Sequence, residues 1–191
     1  PPHPNAVDLA SHAGSTCVCM RLLFLGTLLT LAAAQAQPSR PEVFGQIGVF
    51  RDGGDEGSLG TGASFGGSAM IPFASRWAAD VAVHNFRTDL NIGADSTTLR
   101  STLILPAIAY RRGSEKAYFF VGGGVGAEIL RSRILFSGRT FNDTSNGKLI
   151  HWRTGFVANP ARQVLIRFDL IMAHRYVLPN IGATIGVGYR F

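Results

Sequence analysis

The sequence predicts an all-β protein, an eight-stranded antiparallel up-and-down transmembrane β-barrel. Three observations point there. Apolar residues recur with a period of two in eight successive segments, and no segment past Pro41 repeats with the helical period of 3.6. The polar sides of those segments carry Gly, Ser and isolated charges instead of the dense Lys and Glu of a soluble sheet surface. The connections alternate between short and long. Composition agrees: of 191 residues, 46% are hydrophobic, only 16% are charged and 23 are Gly, against averages of about 25% charged and about 7% Gly. Disordered chains need high charge and few apolar residues. A helical membrane bundle would exceed a mean hydropathy of +0.18. Two cysteines do not make a disulfide scaffold.

Residues 1–19 lack periodicity and hold both cysteines, Cys17 and Cys19. They read as an upstream extension, with Met20 as the expected start. Residues 20–36 have the order of a secretory signal peptide: Arg21, the apolar run Leu22–Ala34, and Ala34-Gln35-Ala36 as an A-x-A site. The run is short for a membrane helix of about 20 residues, so cleavage after Ala36 is expected. The remainder, 37–191, is the barrel domain and has no cysteine, which suits passage through an oxidising compartment.

The eight segments follow in order. Val43–Phe50 alternates imperfectly. In Ser58–Ile71, Leu59, Ala63, Phe65, Ala69 and Ile71 oppose glycines and serines. Trp77, Val81 and Val83 oppose Asp80 and His84 in Trp77–Arg87. Thr98–Tyr110 is again imperfect. In Ala117–Ile129, Phe119, Val121, Val125 and Ile129 oppose Gly122, Gly124, Gly126 and Glu128. Ile150, Trp152 and Phe156 oppose His151 and Arg153. Val164, Ile166, Phe168, Leu170 and Met172 oppose Arg167 and Asp169, with Leu165 and Ile171 as misfits. The last segment is cleanest: Ile181, Ala183, Ile185, Val187, Tyr189 and Phe191 against Gly182, Thr184, Gly186, Gly188 and Arg190. Short connections are expected at Pro72–Arg76, Arg111–Glu115 and Asn159–Ala161. Loops are expected at Arg51–Glu56, Thr88–Thr97, Arg131–Lys148 and His174–Asn180.

A soluble calyx would turn the apolar face inward, a membrane barrel outward. Small residues on the polar face suit a narrow interior where opposite walls compete for space. Strands of about 9–11 residues span a bilayer at about 45° tilt, and closure is obligatory where no water can satisfy a strand edge. Aromatics near the segment ends (Trp77, Phe119, Phe156, Tyr189 and Phe191 at one rim, Trp152 towards the other) fit interfacial girdles. The expected interior network is Asp80, His84, Arg100, Glu128, Arg153, Arg167, Asp169 and Arg190.

The ending GATIGVGYRF and the strand GGGVGAEI resemble the small OmpA/OmpX-type outer-membrane β-barrel family of Gram-negative bacteria over about Glu42–Phe191. The resemblance implies periplasmic termini, three short periplasmic turns and four surface loops. It also implies that Ile185, Val187, Tyr189 and Phe191 form the signal read by the barrel-assembly machinery.

Other motifs weigh less. Gly122, Gly124 and Ala127 fit G-x-G-x-x-A with Asp143 downstream, but the period of two continues through them and no βαβ unit surrounds them. Some outer-membrane barrels modify lipid A. The deacylase pattern His-x-Ser-Asn meets Asp143-Thr144-Ser145-Asn146 here, with Asp143 where the His should stand. No metal-ligand spacing occurs and no cofactor is expected. A pI near 10.0 comes without the basic helix or aromatic-interleaved stripe of nucleic-acid binders. The cations of the long loop, Arg131, Arg133, Arg139 and Lys148, suit contact with phosphorylated lipopolysaccharide.

The reading is a monomeric, non-enzymatic outer-membrane barrel with an envelope-structural or surface-interaction role through its loops. The alternatives are a narrow pore for ions or small solutes and, behind it, a lipid A-modifying enzyme.

Overall fold

The computed structural model describes residues 40–53, 58–92, 95–175 and 179–191. The extension and leader expected before residue 37 lie outside them. Eight strands run β1 Glu42–Gly53, β2 Ser58–Pro72, β3 Trp77–Ile92, β4 Asp95–Gly113, β5 Ala117–Phe136, β6 Arg139–Ala161, β7 Val164–His174 and β8 Asn180–Arg190. Each pairs antiparallel with its chain neighbours. β8 closes on β1 from Glu42↔Arg190 to Arg51↔Ile181. No described helix is long and apolar enough to cross a membrane.

Parity assigns every face. On β8, Ile181, Ile185, Val187 and Tyr189 are exposed on the outside while Thr184 is buried. On β7, Val164 to Met172 at even numbers face out. The misfits Leu165 and Ile171 point inward with Arg167 and Asp169, into apolar layers of the interior. β1 and β4, whose faces were unclear in the sequence, resolve the same way: Glu42, Phe44, Gln46 and Phe50 point inward, as do Leu99, Ser101, Leu103, Leu105, Ala107 and Ala109. On β5 the outward run from Phe119 to Ile129 covers about 23 Å along the barrel axis at about 3.3 Å per residue and about 45° tilt, close to the apolar belt of about 25 Å known for such barrels. Ring pairs mark the rim at the short turns: Trp77 with Tyr110, Phe119 with Phe156, and Tyr189 with Phe191.

Three expectations about connections need correction. Arg131–Lys148 is no loop. β5 and β6 stay paired from Ala117↔Ala158 to Phe136↔Arg139 and turn at Ser137-Gly138, both with positive φ (49° and 76°). That is the two-residue turn whose twist matches a hairpin. Likewise β3 and β4 remain paired to Ile92↔Asp95, through most of the Thr88–Thr97 stretch. Past the apolar belt both faces of the β5–β6 hairpin are exposed, so the period of two fades while the ladder continues. The short turn placed at Asn159–Ala161 also moves, because β6 runs to Ala161 and turns through Arg162-Gln163.

Gly122, Gly124 and Ala127 lie within β5, so the nucleotide-binding turn is not formed. Between Ile104↔Ala127 and Ile108↔Gly123 the β4–β5 ladder lapses around Pro106, which has no N–H to give. His151, reaching across from β6, sits 2.8 Å by Nε2 from the Pro106 carbonyl.

Candidate functional site: the filled lumen and the hairpin rim

The lumen is built in layers. At the short-turn end Glu42 holds Arg190 (Nη2–Oε1 2.7 Å, Nε–Oε1 3.0 Å) and accepts a hydrogen bond from the Tyr118 hydroxyl. Arg111 lies over the Tyr118 ring at 5.2 Å. Phe44, Met70, Ala78, Ala109, Phe120, Val157 and Leu165 pack with Tyr118 around this group.

Next comes the charge network. Asp80 Oδ2 takes Arg153 Nη2 at 2.5 Å and Arg167 Nη2 at 2.8 Å. Arg167 Nε bridges both oxygens of Asp169 at 2.8 and 2.9 Å. Gln46 Nε2 donates to Asp169 Oδ2 at 2.6 Å. The Arg167 guanidinium stacks over Phe120 at 4.4 Å and Phe44 at 5.1 Å, where ring faces favour a cation. All four ionic side chains are at most 1% exposed. Two arginines against two aspartates give no net charge, which is what a closed interior tolerates. Glycine makes room. A Cβ at Gly155 would lie 2.1 Å from the Phe168 carbonyl and 2.7 Å from both Asp169 Oδ1 and the Phe120 ring.

A second apolar layer lies towards the hairpins, made of Phe50, Ala82, Phe86, Leu103, Leu105, Leu149, Ile171 and Ala173. Phe50 stacks on Phe86 at 5.1 Å and tilts against His84 at 5.5 Å. His84 and His151 are fully buried. Among the described residues, Ser64, Ser68, His84 and the Nε and Nη1 of Arg153 find no side-chain hydrogen-bond partner in this interior.

The final layer centres on Glu128. It accepts from Ser101 (2.6 Å), Asn180 (3.3 Å) and Arg175 (3.1 Å). Asn180 also accepts from the Gly53 N–H at 2.7 Å. Asp52 is buried beside this layer, on the inward face of β1.

Of the expected interior residues, the structure places Asp80, His84, Glu128, Arg153, Arg167, Asp169 and Arg190 inside, but in four separate layers. Arg100 is corrected: it is exposed on the outer wall, because the inward parity of β4 falls on odd numbers. Sequence reasoning passed over Glu42, Gln46, Ser101, Tyr118, Arg175 and Asn180. Strict parity counted back from Phe44 and Phe120 would have found Glu42, Gln46 and Tyr118. Of the hairpin cations, Arg131, Arg133 and Lys148 share the outer face, while Arg139, opposite Phe136, falls on the other face.

No family model and no curated protein matches this sequence. Solved structures do. Neisserial surface protein A aligns with a TM-score of 0.60 at 13% identity, over 79% of this chain and 97% of that one. The outer membrane protein OprG from Pseudomonas aeruginosa aligns at 0.58 and 11%, over 82% and 98%. The attachment invasion locus protein Ail of Yersinia pestis, solved in complex with the heparin analogue sucrose octasulfate, aligns at 0.57 and 16%, over 80% and 97%. This is the small OmpA/OmpX-type barrel fold. In such a barrel eight strands leave an interior just wide enough for side chains to fill, and here that interior holds the layers from Glu42 to Glu128.

Proposed function

We propose that the protein is a non-enzymatic outer-membrane barrel that acts through its protruding hairpins, as an envelope-structural or surface-interaction protein, and not as a conduit. The observation that carries this is the stack of interior layers: a neutral arginine–aspartate network between two apolar layers. An ion crossing it would have to displace Phe50 and open the bridges of Asp80. The hairpins β3–β4 and β5–β6 rise beyond the apolar belt with Arg131, Arg133 and Lys148 on their outer face, suited to phosphorylated lipopolysaccharide. Arg139 at the tip is free to meet a different partner. Ile185, Val187, Tyr189 and Phe191 present the alternating outer face that the assembly machinery would read, and the monomer needs no second chain to close its sheet.

Planar-bilayer recordings test the reading. The refolded protein is expected to give no steps above baseline at 1 M KCl (a concentration of about 1 M reduces screening lengths to about 3 Å). Regular steps that change on neutralising Arg153 or Arg167 would replace this reading with a narrow pore. An altered lipid A mass profile in expressing cells would replace it with an enzyme.

A further inference from the structure

The corrected position of Arg100 exposes a pattern that single strands hide. Arg87 of β3 is the register partner of Arg100 of β4, and Arg100 is the register partner of Arg131 of β5. All three are exposed on the outer wall. Residues directly opposite across a ladder have Cβ atoms about 4.5–5.5 Å apart, and like charges so placed repel. The row beneath is uncharged, Asn85–Thr102–Ile129, with Thr102 donating to Asn85 at 2.7 Å. The row above, Asp89–Thr98–Arg133, holds one charge of each sign. Asp89 reaches down to Arg87 at 2.9 Å and accepts from Thr98 at 2.7 Å. It neutralises one arginine of the three, and no described residue forms an ion pair with Arg100 or Arg131.

We propose that Arg87, Arg100 and Arg131 form a binding site for the phosphate groups of an outer-leaflet lipid headgroup. This rests on the outer-membrane reading and its lipopolysaccharide contact, and adds to them the site. Depth selects the ligand. The apolar outer face ends at Val83, Ile104 and Ile129, so the row stands one or two outward positions higher, at headgroup level. Guanidinium forks match phosphate oxygens in pairs. Three on adjacent strands, with no charge of either sign beneath them, offer a ladder to a headgroup bearing more than one phosphate.

The test is thermal unfolding of the refolded protein in phosphatidylcholine bicelles, with and without bisphosphorylated lipid A, for wild type and for Arg100→Gln/Arg131→Gln. Wild type should melt higher with lipid A, and the double variant should lose most of that rise. Without lipid A the double variant should melt as high as wild type or higher, since it relieves repulsion. This reversal of sign separates a binding site from a structural role. Arg112→Gln, at the opposite end of β4, should keep the full rise. An equal lipid A response in the double variant overturns the proposal, as does an equal rise produced by inorganic phosphate alone, which would make the source a free anion. Conductance of the inserted protein would overturn the role proposed above and leave this result standing.

Discussion

Replacing Asp80 with Ala is expected to cost the barrel about 3–5 kcal/mol, the usual cost of removing one partner from a buried ion pair. Among the described residues Asp80 is the one carboxylate paired with Arg153, and it shares Arg167 with Asp169. Its loss leaves a cation on a side chain 1% exposed. Urea unfolding from lipid vesicles should show the loss as a lower midpoint. A companion double variant, Asp80→Ala/Arg153→Met, removes the charge and its counter-charge together and should recover most of the deficit, because a whole buried pair replaced by apolar volume is close to neutral. The two substitutions would then be strongly non-additive, as expected for groups in direct contact. A deficit under about 1 kcal/mol for Asp80→Ala, or simple additivity, would mean that the aspartate is not what balances the arginines.

The interior was partly legible because charge is rare in this chain. An aspartate or arginine between apolar neighbours with a period of two must lie on the face away from lipid, and Asp80, Arg153, Arg167 and Asp169 were recognisable on that ground alone. Their partners in layering were not. Leu165 and Ile171 broke the alternation because a narrow lumen also needs apolar filling, so an inward position can hold Leu as readily as Arg. Tyr118 and Phe120 hid in the run Tyr118–Val121, where both faces are apolar. Arg100 was misplaced for a related reason: past the belt, arginine is tolerated on either side of the wall, so charge no longer reports the face. Only the register of β4 with its neighbours decides. The same loss of contrast turned two paired hairpins into apparent loops, though Ser137-Gly138 carried the turn chemistry in plain view.

The outward apolar face carries the other large expected effect. Phe168 and Ile185 are register partners at the middle of β7 and β8, and both are about half exposed, at 44% and 53%. In water that exposure would make Phe168→Arg or Ile185→Arg nearly neutral, within about 0.5 kcal/mol. In hydrocarbon an arginine at the midplane costs about 2–4 kcal/mol, falling to about 0–1 near the interface. Either substitution should therefore lower the urea midpoint in vesicles by the larger amount, while Tyr189→Arg at the rim should cost little. Refolding from urea into vesicles needs no assembly machinery, so the result reads lipid contact alone and not the C-terminal signal to which Ile185 also belongs. Phe168, outside that signal, is the cleaner of the two. The gradient from midplane to rim is the decisive measurement: a soluble calyx has no axis along which an exposed arginine changes its cost, and a flat response across Phe168, Ile185 and Tyr189 would remove the bilayer from the account of this fold.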